Sequence, residues 1–382
     1  MTRIGAGLST WPDATEAAAD AAAQAAAQLG EADADLAYLF LSPDHVADAA
    51  EALAAVHEQL APRHLLGCVA EGVVGRQTEI ESGPAAAVWA ASLPGAEIGS
   101  FHMATLEVEE GTAVVGFPAL DRADLVTLLV DPYTFPADAF LDKLNEEDVD
   151  LPLVGGVAVG EGGPDGQALF LNREVITDGA VGAVVSGIPV HTLVSQGCAP
   201  IGRDAVITAA EGNVIHELAG ERAVDRLREE ILALPPHEQG LAARGILAGL
   251  VIDENKPEYA RGDYLVRGLV GADEENGAIA VGTPVRVGQT VRFHVRDAAS
   301  ADDDLRHALA ELPRGRAAGA LMFTCNGRGT NMFPAPDHDA RVVAEALGEP
   351  AVAGFFCGGE IGPVGGRAFL HGFTATLAVF LE

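Results

Sequence analysis

The ten residues Leu36-Ala37-Tyr38-Leu39-Phe40-Leu41-Ser42-Pro43-Asp44-His45 carry a strand into a helix start. Six consecutive apolar positions predict a strand buried on both faces. Ser42 predicts a cap, Pro43 a first helical position and Asp44 an acid at the positive end of the helix dipole, so a helix is expected to about Leu60. On the N-terminal side, Ile4 to Leu8 reads as a short strand and Pro12 to Leu29 as an alanine-rich helix. On the C-terminal side, His64 to Val69 is a third strand. Alternation of strand and helix predicts parallel pairing with helices packed on the sheet.

The same unit recurs. After a strand at Leu125 to Val130 comes Phe135-Pro136-Ala137-Asp138, a helix, and a strand ending Val154-Gly155-Gly156. After Ala320 to Cys325 comes Phe333-Pro334-Ala335-Pro336-Asp337-His338, a helix, and Val352 to Cys357. Pro336-Asp337-His338 repeats Pro43-Asp44-His45. Val291 to Val295, with an acid-opened helix from Ala301 to Leu312, echoes the opening strand and helix. Pro84 to Ser92, Gln167 to Gly187 and Arg367 to Leu381 read as antiparallel tails. The expected fold is α/β of mixed α+β type: two related halves of strand-helix-strand units forming mixed sheets. A helix over Glu221 to Leu234, with Val224, Leu227, Ile231 and Leu234 on one face, is stopped by Pro235-Pro236. The domain boundary is placed before it, giving 1–216 and 217–382.

The chain has 382 residues and a formal net charge of −33, and Lys143 and Lys256 are its two lysines. Such a field repels nucleic acid, and no basic run offers a phosphate footprint. Anionic membrane surfaces are excluded by the same reasoning. Between Asp178 and Arg203 no formal charge occurs, but Gly, Pro, Ser, His and Gln interrupt any apolar span. Two buried strands around a turn at Gly187-Ile188-Pro189 are expected there. The chain starts without the long apolar core of a secretion signal. Cys68, Cys198, Cys325 and Cys357 are too scattered for a disulfide framework, so a reducing cytosolic setting is expected.

Chemistry is expected where strands end. Cys325-Asn326-Gly327-Arg328-Gly329-Thr330-Asn331 leaves a strand and enters a helix, the position at which α/β sheets bind ligands. Arg328 offers a fork for carboxylate or phosphate, and the spacing matches neither a Walker A loop nor a dinucleotide fingerprint. Gly354 to Arg367 holds six glycines, a proline and Glu360, and reads as a turn-rich loop in which a carboxylate could meet an ammonium group. Glu71, within Gly67-Cys68-Val69-Ala70-Glu71-Gly72, is the matching acid of the first half. Cys357 with His371 as base is a nucleophile candidate, set against Cys325 and Cys357 as small buried residues ending adjacent parallel strands. HExxH is absent and the histidines are dispersed, so no metal and no cofactor is expected. Asp302-Asp303-Asp304 reads as a helix opening, His294 as a polar-face strand residue, and Cys198-Ala199-Pro200-Ile201-Gly202 as a rigid turn.

Gly354 to Phe373 closely resembles the C-terminal signature of the FIST family, predicted sensory proteins named for F-box and intracellular signal transduction. Gly67 to Gly75, Gly83 to Gly95 and Ser195 to Gly202 resemble its N-terminal part. The resemblance implies a tandem of FIST N and FIST C domains that binds a small ligand, amino acids being the proposed class, and passes the signal to a separate signalling protein. The expectation is therefore a non-catalytic cytosolic sensor with a site drawn from Cys68, Glu71, Asn326, Arg328, Thr330, Asn331, Cys357, Glu360, Arg367 and His371. In it Arg328 holds a carboxylate, Glu360 an ammonium, and Asn326, Asn331 and His371 set orientation. A thiol- or carboxylate-dependent enzyme and a protein–protein adaptor are the alternatives.

Overall fold

A computed structural model describes residues 1–109, 111–120, 122–147, 151–260, 262–313 and 315–382. The chain forms two compact units. The first comprises Met1–Ser195, Leu305–Leu370 and Thr374–Glu382, the second Gln196–Asp304 and His371–Phe373. The class is mixed α+β, as the strand and helix alternation predicts.

In the first unit one motif is used three times. The strand Leu36–Leu41 is buried throughout and pairs in parallel with His64–Val69 across the helix Ala49–Leu60, with Ala86–Ser92 antiparallel on its other side. Leu125–Val130 pairs in parallel with Leu153–Ala158, with Ala180–Ser186 antiparallel beside it. Ala317–Cys325 pairs in parallel with Ala351–Val364, with Thr374–Leu381 antiparallel beside it. The first copy lies in a six-stranded sheet; the other two join antiparallel, Gly156 opposite Glu360, in a twelve-stranded one. The two sheets share an aromatic core. Phe40 meets Phe355 at 5.3 Å between ring centroids, and Trp89 meets Phe380 at 5.0 Å.

One edge of the six-stranded sheet, the strand Arg3–Ser9, is closed by a helix. Asp13 caps Ala14–Leu29 by accepting the Glu16 N–H at 2.9 Å, and the helix buries a face of Ala17, Ala18, Ala21, Ala22 and Ala25. Those small side chains bring it so close to Arg3–Ser9 that a Cβ on Gly7 would lie 2.0 Å from the Ala21 carbonyl oxygen. The amides of Gln24 and Gln28 then exchange hydrogen bonds with the backbone of Leu8 and Ala6, replacing a neighbouring strand. An edge that would otherwise template association is blocked.

Several local expectations change. Pro43–Asp48 is a 3₁₀ turn before the α-helix, and Ser42 does not cap it; its hydroxyl accepts the Ala85 N–H at 2.8 Å. Ala180–Ser186 and Val190–Gln196 flank Gly187 but pair with different strands. Gly358 to Val364 is not a loop. It continues the strand Ala351–Val364, and its glycines serve close approach: a Cβ on Gly362 would lie 2.4 Å from Val194.

The second unit closes a ring of six strands: Cys198–Glu211, Thr290–Arg296, Ile246–Val251, Tyr264–Asp273, Ala278–Val281 and Val214–Leu218, the last returning to the first. The helix Ala223–Ala233 packs Val224, Leu227 and Ile231 on this core. Cys198 to Gly202 belongs to a strand with a register shift, not to a turn. His294 is buried, not on a polar face; burial pushes its pKa down to about 4, and its ring lies 5.1 Å from that of Tyr264. The helix expected from Ala301 begins at Ala298, opened by Asp297, which accepts the Ser300 N–H.

Candidate functional site

Cys325 and Cys357 are register partners on adjacent parallel strands; the chain leaves the sheet after Cys325, while the neighbouring strand runs on to Val364. The Asn326 N–H is tied to the Cys357 carbonyl at 2.9 Å, and the Arg328 N–H to the Cys325 carbonyl at 2.8 Å. Gly329 then turns with φ +50°, and a Cβ there would lie 2.7 Å from the Glu81 carboxyl carbon. Glycine at this point lets Glu81 accept the Thr330 N–H at 2.9 Å and its hydroxyl at 2.7 Å. The Asn326 amide donates to Glu71, and the Asn331 amide donates to the Asn326 carbonyl at 2.8 Å.

These residues enclose a cavity of about 30 Å³ lined by Glu71, Gly72, Glu81, Asn326, Asn331 and Phe356. That is room for a small polar group, since a single water needs about 10–15 Å³ of such space. Two carboxylates line it, and Asn326 Oδ1 is buried with no hydrogen-bond partner. The lining is rich in acceptors and calls for a donor. Among the described residues no group of three or more His, Cys, Asp or Glu side chains could hold a metal ion.

Arg328 faces the interior. It is fully buried, and its fork is filled by Asp339 through Nε at 2.6 Å and Nη2 at 2.8 Å. The guanidinium lies over the Phe333 ring, on which His338 stacks at 3.5 Å, and His338 Nδ1 meets Asp339 at 2.9 Å. Burial pushes the Asp339 carboxyl up, but the Arg328 charge and hydrogen bonds, with His338, outweigh it and hold it well below the usual carboxylate range.

Glu360 is also fully buried. Its Oε2 accepts the Thr374 N–H at 3.0 Å and hydroxyl at 2.9 Å, while Oε1 has no partner. Burial raises its pKa to about 8, against the opposing pull of Thr374, Cys325 and Arg328. A carboxyl that keeps its proton at neutral pH is a poor ammonium partner. Burial, then the nearby Glu360, pushes the Cys357 thiol well up, and burial does the same to Cys68. Arg367 is exposed at the start of the strand Arg367–His371; His371 is buried and belongs to the second unit.

The expected residues thus separate. Glu71, Asn326, Thr330 and Asn331 gather at the cavity rim, whereas Arg328, Cys357, Glu360 and Cys68 lie inside the core. Glu79, Glu81, Asp337 and Asp339 were not foreseen. Asp339 follows the repeated Pro-Asp-His, and Glu81 follows Glu79 two positions on, just past the short strand at Thr78–Ile80; these are the signals the sequence holds for them.

The fold and this rim define a tandem mixed α+β protein with an acceptor-lined cavity at strand ends. A FIST N domain matches residues 35–221 and a FIST C domain residues 223–363. The chain belongs to the FIST family. It is similar along its whole length to an uncharacterized protein of Mycobacterium tuberculosis strain H37Rv, 46% identical over 386 residues, with all of both chains covered. An uncharacterized protein of Mycobacterium bovis is 44% identical over 386 residues, covering all of this chain and 99% of its own. FIST domains are proposed sensory domains. No helix among the described residues is long and apolar enough to cross a membrane.

Proposed function

We propose that the protein is a non-catalytic sensor of a small molecule bearing a primary ammonium group, amino acids included, acting in a reducing compartment and reporting to a separate signalling protein. The observation that carries this reading is the cavity at Glu71, Glu81 and Asn326, whose acceptors outnumber its donors and whose size admits one small head group. An ammonium brings three N–H donors and a positive charge. A net charge of −33 raises the local concentration of cations. With the Arg328 fork filled by Asp339, recognition falls on the ammonium, and a ligand carboxylate lies outside the acidic rim. The buried, high-pKa thiol of Cys357 favours a sensor over a thiol enzyme.

Thermal unfolding with glycine, ethanolamine, putrescine and acetate tests this. A saturating amine at 100 times its Kd adds about 2.7 kcal/mol, raising Tm by several degrees, while acetate does nothing. Glu71→Gln abolishes the shift, and recovered ligand is chemically unchanged. A panel without any amine-dependent shift, or a shift that survives Glu71→Gln, rejects the reading.

A further inference from the structure

We propose that the groove at the carboxyl end of the strand Arg3–Ser9 is a second ligand site, which takes a quaternary ammonium group on the face of Trp11 against the Asp20 carboxylate. The groove has a volume of about 480 Å³ and is lined by Leu8, Ser9, Thr10, Trp11, Pro12 and Asp20. It lies where a strand hands over to a helix, the usual ligand position in such sheets. Trp11 is 55% exposed, whereas Trp89 is wholly buried. An indole left in water at the wall of a groove is a ready face for a cation.

The charge is of one sign. Asp20 is the one charged residue among the six that line the groove, and one of its oxygens accepts from the Gln24 amide. The helix N-terminus would by itself favour an anion, but Asp13 already occupies the Glu16 N–H there. A quaternary ammonium has no N–H donors and exceeds the 30 Å³ cavity at Glu71, so this site is separate from the one proposed above.

Tetramethylammonium chloride is the probe, titrated at constant ionic strength against sodium chloride and followed by tryptophan fluorescence. The two tryptophans make the assignment direct. A saturable change is expected in the full chain, lost in Trp11→Leu and about fivefold weaker in Asp20→Asn. Glu71→Gln leaves it intact, which separates this outcome from failure of the primary-amine reading. Both groove substitutions are at the surface, and an unchanged urea midpoint verifies that they fold. The proposal is overturned by a linear, non-saturating response, by a response that persists in Trp11→Leu, or by glucose producing the same change independently of Asp20.

Discussion

Glu79 and Asp337 join a short strand to a helix N-terminus although 258 positions separate them. Asp337, at the N-terminus of His338–Leu347, accepts the Glu79 N–H at 2.8 Å, and the Glu79 carboxyl accepts the Ala340 N–H at 2.9 Å. Glu79 thus supplies from another segment the cap that the Asp337 side chain does not make, and the exchange fastens the hairpin Val73–Gly75 and Thr78–Ile80 to that helix. Burial, with the charges of Asp339, Glu81 and Asp337, raises the Glu79 pKa from 4.5 to about 8.

A pH dependence follows from Glu79 and Glu360 together. Both keep their proton to about pH 8 when folded and lose it near the ordinary value of 4.5 when unfolded. The folded chain therefore binds more protons across that window, so stability is greatest at its acid end and falls as pH rises to about 8. Asp339 has the opposite sign, and its contribution is lost as pH drops below the ordinary aspartate range. Urea midpoints in high salt should fall between about pH 5.5 and about pH 8.5, by up to roughly 1.4 kcal/mol per unit for each carboxyl. Glu79→Gln and Glu360→Gln should each flatten the slope. An identical slope in both variants would falsify the assignment.

Arg328 and Asp339 stabilise the fold as a pair, and their loss should be read as a pair. Removing one partner strands a buried charge, a cost of about 3–5 kcal/mol. Arg328→Met and Asp339→Leu should therefore both lower the urea midpoint strongly. Because the pair is fully buried, replacing both sides with apolar groups should recover much of the loss. Additive costs in the double variant Arg328→Met/Asp339→Leu would mean that the two do not act through each other.

The parts of the fold legible in the chain are those where local pattern and tertiary role coincide. Leu36–Leu41 is apolar throughout, and Leu125–Val130 is apolar but for Thr127, because sheet neighbours and core cover both faces, so composition alone reports them. Gly358 to Val364 misleads for a physical reason. Glycine signals a turn when its φ is positive, but Gly362 is needed because Val194 packs where its Cβ would stand. At the site, Glu71 was legible as the acid matching Glu360, and Asn326 as part of the loop that leaves the strand ending at Cys325. Glu79 was not: its partners Asp337 and Ala340 lie far along the chain, and a buried carboxyl cluster assembled from two distant segments leaves no local spacing to read. Arg328 looked like a ligand fork because sequence does not show which way a guanidinium points.

Gly329 should couple rim geometry to amine binding. Its φ of +50° is costly for a residue with a side chain, roughly 1–2 kcal/mol, and the added methyl would press on the Glu81 carboxyl. Gly329→Ala should lower Tm by a few degrees and weaken the amine response by a larger factor than Thr330→Ala, which removes one of the bonds to Glu81. Equal amine affinity in Gly329→Ala and the parent chain would place the ligand elsewhere.

Cys68 and Cys357 differ from catalytic thiols in the quantity that controls reactivity, the thiolate fraction. Both are fully buried, and burial pushes both pKa values well above the usual range, so the native chain presents almost no thiolate from either at neutral pH. Native-state alkylation with iodoacetamide, read by peptide mass spectrometry, should leave both unmodified over hours, and urea should expose both at once. Cys357→Ala should keep the amine-induced Tm shift while lowering the base Tm, since it opens a small void beside Gly156, whose backbone approaches the Cys357 sulfur closely. Rapid labelling of Cys357 in the folded chain, or loss of the ligand response in Cys357→Ala with the fold intact, would instead favour a thiol enzyme.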